Sequence, residues 1–318
     1  MDMPICIGWA FSMRCRGITM TESVFNTAYG IWNSLISLAM TLFTTSPTAA
    51  NASVYSTCRL MYNAITDISL PVAIVFFLIA ICKDVVSSPP DQQVRKFFSD
   101  GLKFCILIGI LANLWDVMGY IMQIADGVTD KLASDGSATY LMSMSGDLSS
   151  VIADVENLAP QTEIHFTSFG TDLIAFAKEY LEIAMTKLLF FIASIVTLGI
   201  IVASCISILS SAFQRILKPL AILPFSSITV ALASGSHEAE RVTTSYIKTF
   251  FGFCISGAFM VICVKLGTAL TNGGLIAFDF ASLSTNEKLL YISVQNMITP
   301  IVIAGLVKTA DSVIGRFF

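Results

Sequence analysis

The chain has 318 residues, 55% hydrophobic and 13% charged, with a mean hydropathy of +0.78. Soluble domains carry roughly a quarter charged residues, so a soluble enzyme or binding module is excluded and an all-α, polytopic membrane protein is indicated. The formal net charge of −4 decides little, because the charges are unevenly placed along the chain.

The apolar stretch Ile5–Phe11 precedes Arg14 and Arg16 instead of following them, which is unlike a signal peptide. Met20 is a second candidate start, although Thr19 and Glu22 have capping-box spacing for a helix that begins there. Within an N-terminal segment 1–60, an amphipathic helix is expected over 22–43. Val24, Ala28, Ile31, Trp32, Leu35, Ala39 and Leu42 fall on one face, and Asn26, Gly30, Asn33, Ser37 and Thr41 on the other. It either lies in an interface or packs on other helices, with a first span carrying a polar stripe as the alternative. Residues 44–57 read as a loop.

Two spans are expected in 61–125, at Ile65–Val86 and Leu102–Ala125, joined by a cytoplasmic loop 83–101 with Pro89-Pro90. Residues 126–187 are too polar to cross: 126–177 holds eight acidic residues and one lysine, Lys131. An acidic extracytoplasmic domain is expected there. Residues 188–318 bring three further spans, Leu188–Leu209, Phe250–Leu270 and Leu289–Val307, the last weakened by Gln295, Asn296 and Pro300.

Between the third and fourth spans lies an apolar segment, Pro219–Ala233, too short to cross in the ordinary way. Pro219 biases Lys218 away from helix, and Pro224 lacks an N–H and clashes with the carbonyl of Leu220. Arg215 and Lys218 precede the segment, and Arg241 and Lys248 follow it. A Pro-broken re-entrant or interfacial hairpin over 215–249 keeps both basic clusters on the cytoplasmic side. With Lys83, Arg95, Lys96, Lys103, Lys308 and Arg316 on that same side, five spans result. The N-terminus is then outside and the C-terminus inside.

No catalytic motif is present, and His165 and His237 lack ligand-spaced partners, so neither a cofactor nor a metal is expected. Cys82, Cys105, Cys205, Cys254 and Cys263 sit in apolar runs as small hydrophobes, whereas Cys6, Cys15 and Cys58 are open to an oxidant. Two charges fall inside expected spans, Asp116 and Lys265. They stand roughly 21 Å above Leu102 and roughly 22 Å above Phe250 at the helical rise, with Asn113 one turn below Asp116. They either snorkel separately, form a structural ion pair, or line a pathway. Gly252, Ser256 and Gly257 have the spacing of a close helix contact, as do Ala203 and Ser207.

RILKPLAILPFSS, the polar turn GSHEAER and SYIKTFFGFCISGAFMVI follow one another after the third span. Together with an N-out, five-span layout, they resemble the polytopic inner-membrane channel subunit of type IV secretion and conjugation machines, the TrbL-like family. Arg215, Lys218, Pro224, Gly235, Lys248 and Gly257 match that pattern, best over 188–270. The resemblance implies a non-enzymatic subunit in a homo-oligomeric ring in the cytoplasmic membrane. Its neighbours would be ATPases and bitopic scaffold proteins, and the assembly would pass DNA with a bound relaxase, or protein effectors. The sequence itself offers no basic, aromatic-interleaved groove for nucleic acid. A small-solute transporter with Asp116 and Lys265 on its pathway is the competing reading.

Overall fold

The computed structural model describes residues 8–50, 52–87, 89–135, 169–235, 237–272 and 285–317, and in 136–168 residues 141, 142, 149, 150, 152, 153, 155 and 158. Nearly all of them are helical, and no strand occurs among the described residues. The helices are α1 (Gly8–Thr44), α2 (Pro47–Ala50), α3 (Ala52–Val86), α4 (Pro90–Ala112) and α5 (Leu114–Ser134). After these come α6 (Phe169–Ile222), a 3₁₀ turn (Leu223–Phe225), α7 (Ser226–Leu232), α8 (His237–Asn272) and α9 (Thr285–Phe317).

Four helices are long and apolar enough to cross a membrane, or five if the bent pair α4–α5 counts as one span. Large apolar side chains stand exposed along them, among them Ile68, Val75, Leu78 and Ile79 of α3. Such a surface suits lipid rather than water. The fold is that of a multi-pass helical membrane protein.

Helical order begins earlier than local signals indicate. Thr19 and Glu22 lie inside α1, which starts at Gly8 and not at Met20, and the expected loop 44–57 is replaced by α2 and the first turns of α3. Pro71 sits within α3 and Pro300 within α9. Burial explains this: Phe25, Ala28, Trp32, Ile36, Ala39 and Phe43 of α1 are buried, so α1 packs on other helices. Of the expected acidic domain 126–187, residues 126–134 belong to α5 and 169–187 to α6, while much of the stretch between them lies outside the described residues, as do 273–284.

The chain divides into two compact units. The first comprises Met1–Ser37, Ala138–Ile208 and Val264–Gly305. Within it Phe25 meets Phe190 with ring centroids 5.9 Å apart. The Tyr29 hydroxyl donates to Asn296 Oδ1 at 2.8 Å. The Asn33 carboxamide bonds both the carbonyl and the N–H of Met142 at 2.9 Å. α8 and α9 approach closely at Gly267, where a Cβ would come within 2.7 Å of Ile303 Cγ1.

The second unit comprises Leu38–Ser137, Leu209–Cys263 and Leu306–Phe318. Its core gathers Leu111, Leu114, Met118 and Met122 of α4–α5 with Ile216, Leu220, Leu223, Val230 and Phe250. Phe77 and Phe104 stack at 3.9 Å and pin α4 to α3. Trp115 packs between Tyr55 and Tyr62, with centroids 5.2 and 5.0 Å away.

The expected straight span Leu102–Ala125 is instead broken at Asn113, where α4 and α5 meet at a 67° bend. Asn113 does not extend a polar face toward Asp116. Its Nδ2 donates to the Gly109 carbonyl at 3.0 Å and its backbone N–H turns to Ile110 at 3.1 Å. A short amide side chain that competes for backbone partners ends α4. Beyond the bend, Asp126 meets Arg215 at 2.9 Å, although the charge bias had placed these two residues on opposite faces of the membrane. Reporter cysteines at Ser134 and Gln214, in an otherwise cysteine-free chain, are therefore expected to react with an impermeant maleimide from the same face. Reaction from opposite faces would restore a straight crossing.

Candidate functional site

The site lies in the second unit, where the Pro-interrupted stretch is seated. Pro219 does not end helix: Lys218 and Pro219 both lie within α6. Ile216, Pro219 and Leu220 are buried there, and the Lys218 ammonium lies 5.8 Å from the ring centre of Phe253. Tertiary packing outweighs the local bias of a residue before proline. The interruption comes at Pro224, as a 3₁₀ turn that changes the helix type between α6 and α7 within the continuous helical run Leu173–Leu232. Reversal occurs at the polar turn, where Ser234 and Gly235 bond back to Ala231 and Leu232. Gly235 allows the turn to sit against Phe76, since a Cβ would lie 3.2 Å from that ring.

The carbonyl that Pro224 leaves without its donor is taken up by a side chain. Pro224 lacks the N–H that would reach Leu220, and the Cys58 thiol donates to that carbonyl at 3.1 Å. The 3₁₀ turn takes the Ser226 N–H to Leu223, away from the Ile222 carbonyl. Tyr246 Oη donates to it at 2.8 Å. Thr243 Oγ1 donates to the Thr229 carbonyl at 2.7 Å, joining the start of α8 to α7. Cys58 is accordingly buried, not open to an oxidant. Cys205 and Cys254 are buried as expected, Cys263 is half-buried, and Cys82 and Cys105 face outward.

Arg215 is not a solvated flanking charge. Its side chain is 1% exposed. Nη2 donates to Asp126 Oδ1 at 2.9 Å, and Nη1 donates to the carbonyls of Phe43, of Leu42 at 3.3 Å and of Thr45 at 3.2 Å. These carbonyls close the C-terminal end of α1, where the last turn has no intrahelical donor and the dipole is negative. The guanidinium thus caps one helix and pairs with another. Room for it comes from Gly257 of α8: a methyl there would overlap Nε and Cζ and come within 2.8 Å of Nη2. Gly252, just over a turn before, and the adjacent Ser256 are buried on the same helix.

Asp116 and Lys265 fall in different units, Asp116 exposed near the start of α5 and Lys265 partly buried in α8. Neither unit contains both members of the expected charge pair. Arg241 and Lys248 are exposed on α8. Sequence reasoning missed Asp126, Cys58 and Tyr246. Asp126 carried a readable signal, since it stands one turn past Met122 on the buried line Leu114, Met118, Met122, Thr129. Cys58 and Tyr246 had none, because their partners are 162 and 24 residues away. Among the described residues no group of three His, Cys, Asp or Glu could hold a metal.

No family model, curated protein or solved structure matches the chain.

Removing one member of the buried pair leaves the other charge without compensation, at a cost of about 3–5 kcal/mol. Asp126→Leu and Arg215→Met should each lower the thermal stability of the solubilised protein, and the double variant should recover most of the loss. Additive losses would show that the pair is not coupled. Gly257→Ala should destabilise like Arg215→Met. Cys58→Ser, which keeps a donor for Leu220, should be milder than Cys58→Ala, whose unpaired carbonyl costs about 1–3 kcal/mol.

Proposed function

We propose that the chain is a non-enzymatic channel or scaffold subunit of a type IV secretion or conjugative transfer machine in the cytoplasmic membrane. Its partners would be the machine's ATPases, its bitopic scaffold proteins and further copies of itself in a ring. The substrate would be relaxase-bound DNA or a protein, carried by the whole assembly.

The resemblance over 188–270 supports this reading, and one observation carries it furthest. The Pro224 interruption is housed by protein: Cys58 donates to the Leu220 carbonyl that Pro224 leaves without its N–H, and Tyr246 donates to the Ile222 carbonyl of the same turn. Irregular backbone at membrane depth persists only when buried in protein or lining a wet cavity. A subunit that keeps such a segment inside an apolar chain has a use for its geometry, and a translocation path supplies one. The small-solute alternative rests on Asp116 and Lys265 lining a pathway.

Deleting the gene from a donor strain should abolish transfer to recipients, and complementation should restore it. Pro224→Ala returns the missing N–H to Leu220 and favours continuous α-helix by about 3 kcal/mol. The variant should accumulate in the membrane at wild-type amounts, while transfer falls at least tenfold. Wild-type transfer at normal abundance would remove the interruption from the mechanism. Undiminished transfer by the deletion strain would remove the secretion reading itself.

A further inference from the structure

We propose that the outward face of α6 from Ile174 to Ile206 is a self-association seam, occupied by the same face of a second copy of this chain. α6 has two opposed lines with a period of seven. Phe190, Thr197 and Ser204 are buried, as are Ser194, Ile201 and Ile208, and Phe190 meets Phe25 of α1. On the other side Ile174, Leu181, Leu188 and Ile195 recur at every seventh position and are 48–72% exposed. Met185, Ile192 and Ile206 continue the interleaved line, also exposed. Apolar positions alternate by four and three without a break from Leu181 to Ile195, and the same register reaches Ile174 and Ile206 with Lys178 and Gly199 on it. Such spacing is the pattern of a left-handed coiled coil.

Lipid accounts for only part of this face. Residues 188–214 carry no charge, while Asp172, Lys178, Glu179, Glu182 and Lys187 precede them. Ile174 lies 14 positions before Leu188, about 21 Å along the helix axis at the α-helical rise. Ile174, Leu181 and Met185 therefore belong to a charged stretch beyond the apolar run, where exposure to water is unfavourable. A continuous seam that serves both zones calls for an occupant with the same two zones, and a second α6 has them. Charge agrees with this. Lys178 stands on the seam, and exposed Glu182 follows one turn on, so two parallel copies place each ammonium within reach of the other's carboxylate. Four seam and flanking positions per heptad bring about 20 residues from each copy, the size of a stable interface.

The test uses the full-length chain in membranes, with native cysteines replaced by serine. Single cysteines at Leu181, Leu188 and Ile195 are compared with one at Tyr180, which is exposed on α6 but lies well off the seam. Oxidation with copper phenanthroline should give at least tenfold more covalent dimer at the three seam positions than at Tyr180. When two differently tagged copies are co-expressed, these dimers should carry both tags. Three results would overturn the proposal. The first is monomer at seam positions that maleimide readily labels, meaning a face open to water or lipid. The second is protection from maleimide without dimer, meaning another segment or protein covers it. The third is equal dimer at Tyr180. None of these readouts depends on transfer activity, so the seam and the secretion reading fail separately.

Discussion

A buried guanidinium organises the second unit. Arg215 brings together the end of α1, the middle of α5 and a glycine of α8, and each supplies something the others lack. The α1 carbonyls need a donor, Asp126 needs a cation, and Arg215 needs both partners and the space that Gly257 leaves. A lone charge in such a place costs several kcal/mol after relaxation. The arrangement is all-or-nothing, because no member is tolerable without the others. It also holds the two elements whose local sequence is least decisive: the fraying end of α1 and the helix that follows the Asn113 break.

The Pro-interrupted stretch obeys the same rule with neutral groups. Pro224 leaves the Leu220 carbonyl without its donor, and the Cys58 thiol removes that deficit. Tyr246 adds a side-chain bond to the Ile222 carbonyl of the same turn. The interior of this unit is therefore closed by accounting for backbone groups as much as by apolar packing. The thiol is suited to the task, being small and apolar yet still able to donate.

Membrane class, the long apolar helices and the presence of an irregularity near Pro224 were legible in the sequence, because each is a property of neighbouring residues. The partners that make the irregularity tolerable were not. Residues 58 and 220, or 126 and 215, are joined only by the tertiary fold. The charge-bias reading counted Arg215 as a loop charge beside Lys218, whereas its guanidinium is buried against Asp126. Asp126 was likewise assigned by the acidic composition after it rather than by the apolar face to which it belongs.

The clamp also has an order of manufacture. Asp126 leaves the ribosome 89 residues before Arg215, a delay on the order of 5–20 s at usual synthesis rates. Throughout that interval α5 carries a carboxylate without its cation, and α1 ends in carbonyls without their donor. Gly257 arrives later still. Until then these helices need a temporary host, either water at the membrane edge or the insertion machinery. A substitution at the last-made position, Gly257, would thus act as a defect of assembly, exposing earlier helices to quality-control proteolysis before the fold can be completed.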